Sequence, residues 1–225
     1  MTDSLNYKAS SEPTPACPGT FIAFEGGDGA GKSTQVARLR AALESAGLSV
    51  VVTREPGGTE IGEKLRSLVL DHGQGTIDAR TEALIFAASR AAHAAQLIRP
   101  ALEEGKVVLC DRYIDSSAAY QGAGRGLGIE SVTDLSLWAT ENLLPDLTVL
   151  LDVPLGAGRS RAEARGAADR MESESDDFYA SLHATFGRLA AANPQRYAVI
   201  DGTGSIDDVH AAVLAAVTAH LKEVA

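Results

Sequence analysis

Cysteine is scarce in this chain of 225 residues, which has only Cys17 and Cys110. One lies in a polar, turn-rich stretch and the other ends an apolar run. That placement does not suit a structural disulfide and fits a reducing cytoplasm. Neither has a second cysteine or a histidine at ligand spacing, and the five histidines are scattered, so no zinc pattern is present. A basic excess is missing too. Twenty Lys and Arg against 30 Asp and Glu leave a formal net charge of −10. A duplex-DNA or RNA binder carries a basic face, so nucleic acid is not an expected partner. No apolar run approaches the length of about 20 residues that a bilayer helix needs, so no membrane partner is expected either. Residues 1–19, "MTDSLNYKASSEPTPACPG", lack the apolar middle of a secretion signal and read as a flexible tail. Internal repeats and long heptads are absent.

What is present is an alternation. "TFIAFE" (20–25), "LSVVVT" (48–53), "KVVLC" (106–110), "LTVLLDV" (147–153) and "YAVI" (197–200) read as strands. Their runs of branched residues without polar alternation suit strands covered on both faces. Helical patterns fill the gaps at about 60–71, 80–98 (ended near Pro100), 130–143, 156–165 and 176–192. A last helix starts at Ser205, with Asp208 at capping-box spacing and Ile206, Val209, Val213, Val217 and Leu221 forming one apolar stripe. This is an α/β chain with a five-stranded parallel sheet and helices on both faces. Ligands of such sheets bind beyond the carboxyl ends of the strands. No linker follows residue 19, so residues 20–225 read as one domain.

Between the first strand and the next helix stands "EGGDGAGKST" (25–34). Gly26-x-x-x-x-Gly31-Lys32-Ser33 is the phosphate-loop pattern in its proper context. Backbone N–H groups from Gly26, Gly27, Asp28, Gly29, Ala30 and Gly31 wrap the phosphates, and the helix adds its positive end. Lys32 supplies a mobile cation, Ser33 offers a hydroxyl to Mg²⁺, and Thr34 assists. The motif specifies a nucleoside triphosphate and an NTPase-type fold. It does not choose between kinase, switch and motor. Asp28 is unusual beside phosphates. It either helps hold Mg²⁺ or its waters, or forms the turn.

At the end of the third strand, "VVLCDRYIDSSAAYQG" (107–122) delivers Asp111 and Arg112 to the same crevice. An aspartate there can orient metal-bound water and an arginine can fork onto phosphate, while an isolated pair of this kind could be a structural salt bridge. The stretch resembles the signature of thymidylate kinases in Asp111-Arg112-Tyr113, Ser116-Ser117 and Ala119-Tyr120-Gln121. "TREPGGTEIGEKLRSLVL" (53–70), "FAASR" (86–90) and "RSRAEARGAADRMESES" (159–175) are similar to that family's second strand and helix, base-binding helix and lid. The resemblance spans about residues 20–221.

The resemblance implies transfer of the γ-phosphoryl group of ATP to dTMP with Mg²⁺, giving dTDP for dTTP synthesis in a cytoplasmic homodimer. It implies that Phe86 stacks on thymine and that Arg90, Ser117 and Gln121 bond the base. Tyr120 packs under the sugar, where a 2′-hydroxyl would not fit. Arg66 and Arg112 grip the monophosphate, with Arg54 nearby, and Glu55 lies near the sugar and acceptor phosphate. Read singly, Phe86 and Tyr120 would be core aromatics and Arg90 a solvated charge. Ser33, Asp28 and Asp111 are the candidate metal residues. The phosphate loop lacks an arginine at 27–30, which implies the bacterial branch whose lid, about 156–172, supplies one. Arg165 is the expected catalytic cation, with Arg161 supporting it on the ATP, beside Lys32, Arg112 and Asp28. The alternative is another phosphate-loop nucleoside or nucleotide kinase. A guanine-specific switch is disfavoured because none of Asn6, Asn142 and Asn193 begins an Asn-Lys-x-Asp element.

Overall fold

The computed structural model describes residues 19–154, 170–171 and 174–223. Five strands form one parallel sheet: β1 (Thr20–Glu25), β2 (Val50–Arg54), β3 (Val107–Asp111), β4 (Leu147–Asp152) and β5 (Tyr197–Asp201). Their spatial order is β2-β3-β1-β4-β5. The helices are α1 (Lys32–Ser45), α2 (Glu60–Leu70), α3 (Ala79–His93), α4 (Arg99–Glu103), α5 (Ile114–Ser117), α6 (Ile129–Ala139), α7 (Asp176–Ala192) and α8 (Ile206–Glu223).

The two-residue period of a strand sorts the core. Ile22 and Phe24 of β1 join Leu109, Val149 and Leu151 against Val36 and Leu39 of α1 and Val213 and Val217 of α8. Phe21 and Ala23, one step out of phase, face the opposite layer with Val108, Cys110, Ile98 and Tyr113. On the latter side a further cluster joins Val69 and Leu70 of α2 to Tyr120, Phe178 and Leu182. The three inner strands have the two-sided cover expected of them. The edge strands do not, and leave Val52 and Val199 exposed.

The apolar stripe of α8 is buried at Val209, Val213 and Val217, whereas Ile206, in the first turn, is 57% exposed. The expected cap is present: the Asp208 N–H donates to Ser205 Oγ at 3.1 Å, and that hydroxyl donates to Asp208. The helix expected at 130–143 is shorter. Glu141 (φ 51°) and Asn142 (φ 60°) enter the left-handed region and end α6. Pro100 does not end its helix. A wide π-type turn over Ala94–Ile98 opens the backbone ahead of the proline ring, and α4 runs on to Glu103. A second such turn, Ala118–Gly124, continues α5 and makes helix at a stretch for which the sequence reading gave no helix. The helix expected at 156–165 lies outside the described residues.

All five strands run the same way and each ends on a charged residue: Glu25, Arg54, Asp111, Asp152 and Asp201. Register sets Arg54 beside Asp111, and Asp152 beside Asp201. The sheet therefore presents its charges along one edge, where the connecting loops gather.

Candidate active site

The loop after β1 turns on glycines. Gly26 has φ 131°, and a Cβ there would stand 2.6 Å from the Leu151 carbonyl oxygen. Gly31, at φ 95°, opens α1 without a side-chain cap. The first N–H groups of α1 are thus left to a ligand rather than to a Ser or Asp. The Lys32 ammonium is buried and donates to the carbonyls of Gly26 (3.0 Å) and Gly27 (2.9 Å). Burial, and the Arg112 charge close by, push it below its ordinary pKa. Ala30 serves the loop through its backbone only, because its side chain packs into the core.

Next to the loop, Arg112 sits at φ 70°, a conformation that L side chains rarely hold and that functional sites tolerate. Its guanidinium donates to Asp28 (2.6 Å), Ser116 Oγ (3.0 Å) and the Gly26 carbonyl (3.2 Å), and lies 5.1 Å over the Tyr120 ring. The Tyr120 hydroxyl donates to the other oxygen of Asp28 at 2.9 Å. Burial would raise the Asp28 carboxyl. The Arg112 and Lys32 charges and the Tyr120 hydroxyl outweigh it and hold the pKa at about 2. The electrostatic puzzle of a carboxylate in a phosphate loop is thus answered by an arginine. Below them Glu25, fully buried, accepts from the N–H groups of Tyr113 (2.8 Å) and Ser116 (3.1 Å) and from Ser116 Oγ (2.6 Å). Burial and the Asp115 charge push its carboxyl up to about 7.

The Ser33 hydroxyl donates to Asp111 Oδ2 at 3.1 Å, and the buried Asp111 Oδ1 has no hydrogen-bond partner among the described residues. A hydroxyl and a partnerless carboxylate oxygen suit a hard cation such as Mg²⁺. Among the described residues no group of three or more His, Cys, Asp or Glu could hold a metal, so most of its shell would be phosphate oxygen and water.

At the far end, Arg90 is 2% exposed. Its guanidinium donates to Glu55 (2.6 Å), Ser136 Oγ (3.0 Å) and Ser117 Oγ (2.9 Å). His93 braces Glu55 from behind: Nδ1 lies 3.0 Å from Glu55 Oε1 and Nε2 2.7 Å from Thr53 Oγ1. Glu55 therefore sits beneath Arg90. Gln121 Nε2 donates to Glu82 at 3.0 Å, leaving Gln121 Oε1 buried and without a partner among the described residues. Arg66 donates to the Pro56 carbonyl at 2.9 Å, and Arg54 pairs with Glu63 at 2.9 Å.

One cavity of about 280 Å³ gathers these groups. Asp28, Gly29, Gly31, Lys32, Ser33, Thr34, Asp111 and Arg112 line it, as do Glu55, Arg66, Phe86, Arg90, Ser117, Tyr120 and Gln121. Gly26, Gly27 and Ala30 shape the loop without lining the cavity. Arg161 and Arg165 lie outside the described residues. Sequence reasoning missed Pro56, Leu70 and Met171 in the wall, and Glu25 and Glu82 behind it. Glu25 directly precedes the loop motif and could have been found. Glu82 meets partners more than 35 positions away and leaves no local signal.

A thymidylate kinase family model matches residues 24–213. The chain belongs to the thymidylate kinase family. The thymidylate kinase of Bifidobacterium longum strain NCC 2705 is 54% identical over 210 residues, covering 92% of this chain and 99% of its own. That of Clavibacter sepedonicus is 56% identical over 184 residues, covering 81% and 87%. The crystal structure of thymidylate kinase from Ehrlichia chaffeensis is 33% identical, with a TM-score of 0.73 over 89% of this chain and 100% of that one. The cavity of this kinase is lined both by phosphate-loop residues and by the polar and aromatic side chains of α3, α5 and the turn that follows α5.

Proposed function

We propose that this kinase moves the γ-phosphoryl group of ATP onto dTMP, giving dTDP on the way to dTTP. The observation that carries the reading is the single cavity shared by the phosphate loop and the Phe86–Arg90–Ser117–Gln121 recess. Residues 26–34 cradle the ATP phosphates and Lys32 follows the transferring group. Arg112 and Arg66 hold the dTMP phosphate in line with it. Arg112 can do so because Asp28 and Ser116 fix its plane, leaving little freedom to be lost on binding. Phe86 stacks on thymine, Arg90 and Ser117 face its carbonyl edge, and Gln121 accepts its N–H. Tyr120, anchored through its hydroxyl to Asp28, fills the space under the sugar.

Ser33 and Asp111 would hold Mg²⁺, which supplies charge neutralisation between the phosphates. Asp28, with both oxygens engaged, acts first as the anchor of Arg112 and would assist in holding Mg²⁺ only indirectly. The acceptor oxygen is already anionic, so the chemistry asks for cations and dryness rather than a strong base. Arg165, supported by Arg161, is the proposed lid cation, from a lid at about 156–172 within a single domain of residues 20–225 preceded by a tail over residues 1–19. A homodimer is supported by Ile61 and Leu68 on α2, Leu84 on α3 and Trp138 on α6, all exposed on helices that pack side by side. A cytoplasmic location is supported by the free, buried Cys110. Among the described residues no helix is long and apolar enough to cross a membrane.

The test is ADP release with ATP and Mg²⁺ across a panel of nucleoside monophosphates. dTMP is expected to be the preferred acceptor. A folded enzyme that prefers another monophosphate would move the reading to a neighbouring kinase.

A further inference from the structure

We infer that Glu82 is a specificity-determining positioning residue: it fixes the polarity with which Gln121 meets the base, and so separates thymine from cytosine. The inference rests on the reading of Gln121 as a base contact. Glu82 is fully buried and does not itself line the cavity; it reaches the wall through Gln121. It accepts from Arg125 Nε (3.1 Å) and NH2 (3.2 Å), from Arg170 NH2 and from Gln121 Nε2 (3.0 Å).

A buried carboxylate between two guanidinium groups stays ionised, and an ionised carboxylate only accepts. Burial opposes that charge, but donors from Arg125, Gln121 and Arg170 overcome it and hold the carboxyl below its ordinary value. Gln121 therefore has one orientation open to it. Its NH₂ must face Glu82, and its oxygen, the atom left without a partner among the described residues, is what remains for the cavity that Gln121 lines. An acceptor at that point matches the N3–H of thymine. Cytosine presents an unprotonated N3 there and would leave two acceptors facing each other in a buried site, the kind of unmet polar group that rejects a ligand strongly. A glutamine free to turn over would present NH₂ instead and accept cytosine.

The two arginines place this carboxylate firmly. Arg170 also donates from Nε to the Val69 carbonyl at 2.8 Å, and Arg125 pairs with Glu174 at 2.6 Å. The clamp thus ties α2, α3, the π-type turn and the chain leading into α7 to one charge.

The experiment compares kcat/KM for dTMP and dCMP in wild type and variants, each checked for folding by thermal melting. Glu82→Gln lets residue 82 donate as well as accept, and so releases Gln121. The ratio favouring dTMP is expected to fall about tenfold or more, through KM rather than kcat. The double variant E82Q/Q121E puts a carboxylate, an acceptor at both oxygens, back toward the base, and is expected to regain the ratio. E82D keeps the charge for both arginines but withdraws it by a methylene, and is expected to lose part of the ratio. It decides the matter if E82Q does not fold. R125M loosens the same clamp yet leaves the Gln121–Glu82 bond, and is expected to lower the melting temperature while keeping the ratio. Full retention of the ratio in folded E82Q, or in folded E82D where E82Q does not fold, overturns the inference. So does an equal loss in R125M. Gln121→Leu separates the two levels. If it leaves the ratio unchanged, the base contact itself is wrong. If it collapses the ratio while E82Q does not, only the role of Glu82 is wrong.

Discussion

Lys32 donates to two carbonyls of its own loop, and no neutral side chain could replace a charge held at that point. Lys32→Ala is expected to lower turnover about 10³-fold, the scale of losing one aligned electrostatic contact, with the fold intact by circular dichroism. Arg112 is a sharper case. Lysine can match its charge but not its fork, which reaches Asp28, Ser116 and Gly26 together. Arg112→Lys is expected to cost about 10²-fold in kcat/KM for dTMP, measured by coupled ADP release. Asp28 and Tyr120 depend on the same guanidinium, so losses in double variants with Arg112 are expected to fall short of additive.

Among the elements, α8 shows how burial and not pattern sets the worth of an apolar residue. Val213 is 0% and Ile206 57% exposed within one stripe. Val213→Ala is expected to cost about 2 kcal/mol and Ile206→Ala under about 0.5 kcal/mol, read as shifts in urea midpoint. The turn between β2 and α2 is less forgiving. Gly58 has φ 79°, and a Cβ there would stand 2.6 Å from the His93 ring and 2.7 Å from Thr53 Oγ1. Gly58→Ala would push at the ring that braces Glu55, so it is expected to weaken dTMP binding as well as stability. The strands and α8 were legible because burial on two faces and amphipathic spacing leave a local trace. The turns at Ala94–Ile98 and Ala118–Gly124 were not. Each departs from the ordinary helical repeat that periodicity reads, the first of them just ahead of Pro100.

For the whole molecule, two carboxylates give stability an opposed pH dependence. Asp28 is held at about 2 against an ordinary 3.8, so its stabilisation is present above 3.8 and is lost as pH falls through 2. Glu25 goes the other way. Raised to about 7 from 4.5, it contributes fully below 4.5, and that contribution is lost as pH rises through 7. Urea midpoints are expected to be lower at pH 8 than at pH 5, with the difference reduced in Glu25→Gln. The site itself divides by legibility. The phosphate loop and Asp111-Arg112 lie within short stretches and could be read directly. Phe86, Arg90, Ser117 and Gln121 needed the family resemblance, since only the folded chain brings α3 to α5. Glu82 needed the structure, because its three partners lie 39, 43 and 88 positions away in the chain.

Cys110, next to last in β3, has no exposed surface, its thiol donating to the Arg112 carbonyl at 3.1 Å and driven far from its thiolate by burial and by the Glu55 and Asp111 charges. Thiol reagents attack thiolates, so this sulfur is closed to them while the sheet is intact. With Cys17→Ser removing the other cysteine, alkylation would clock the opening of the central sheet. Saturating dTMP with an ATP analogue should slow that clock in proportion to the stability the ligands confer.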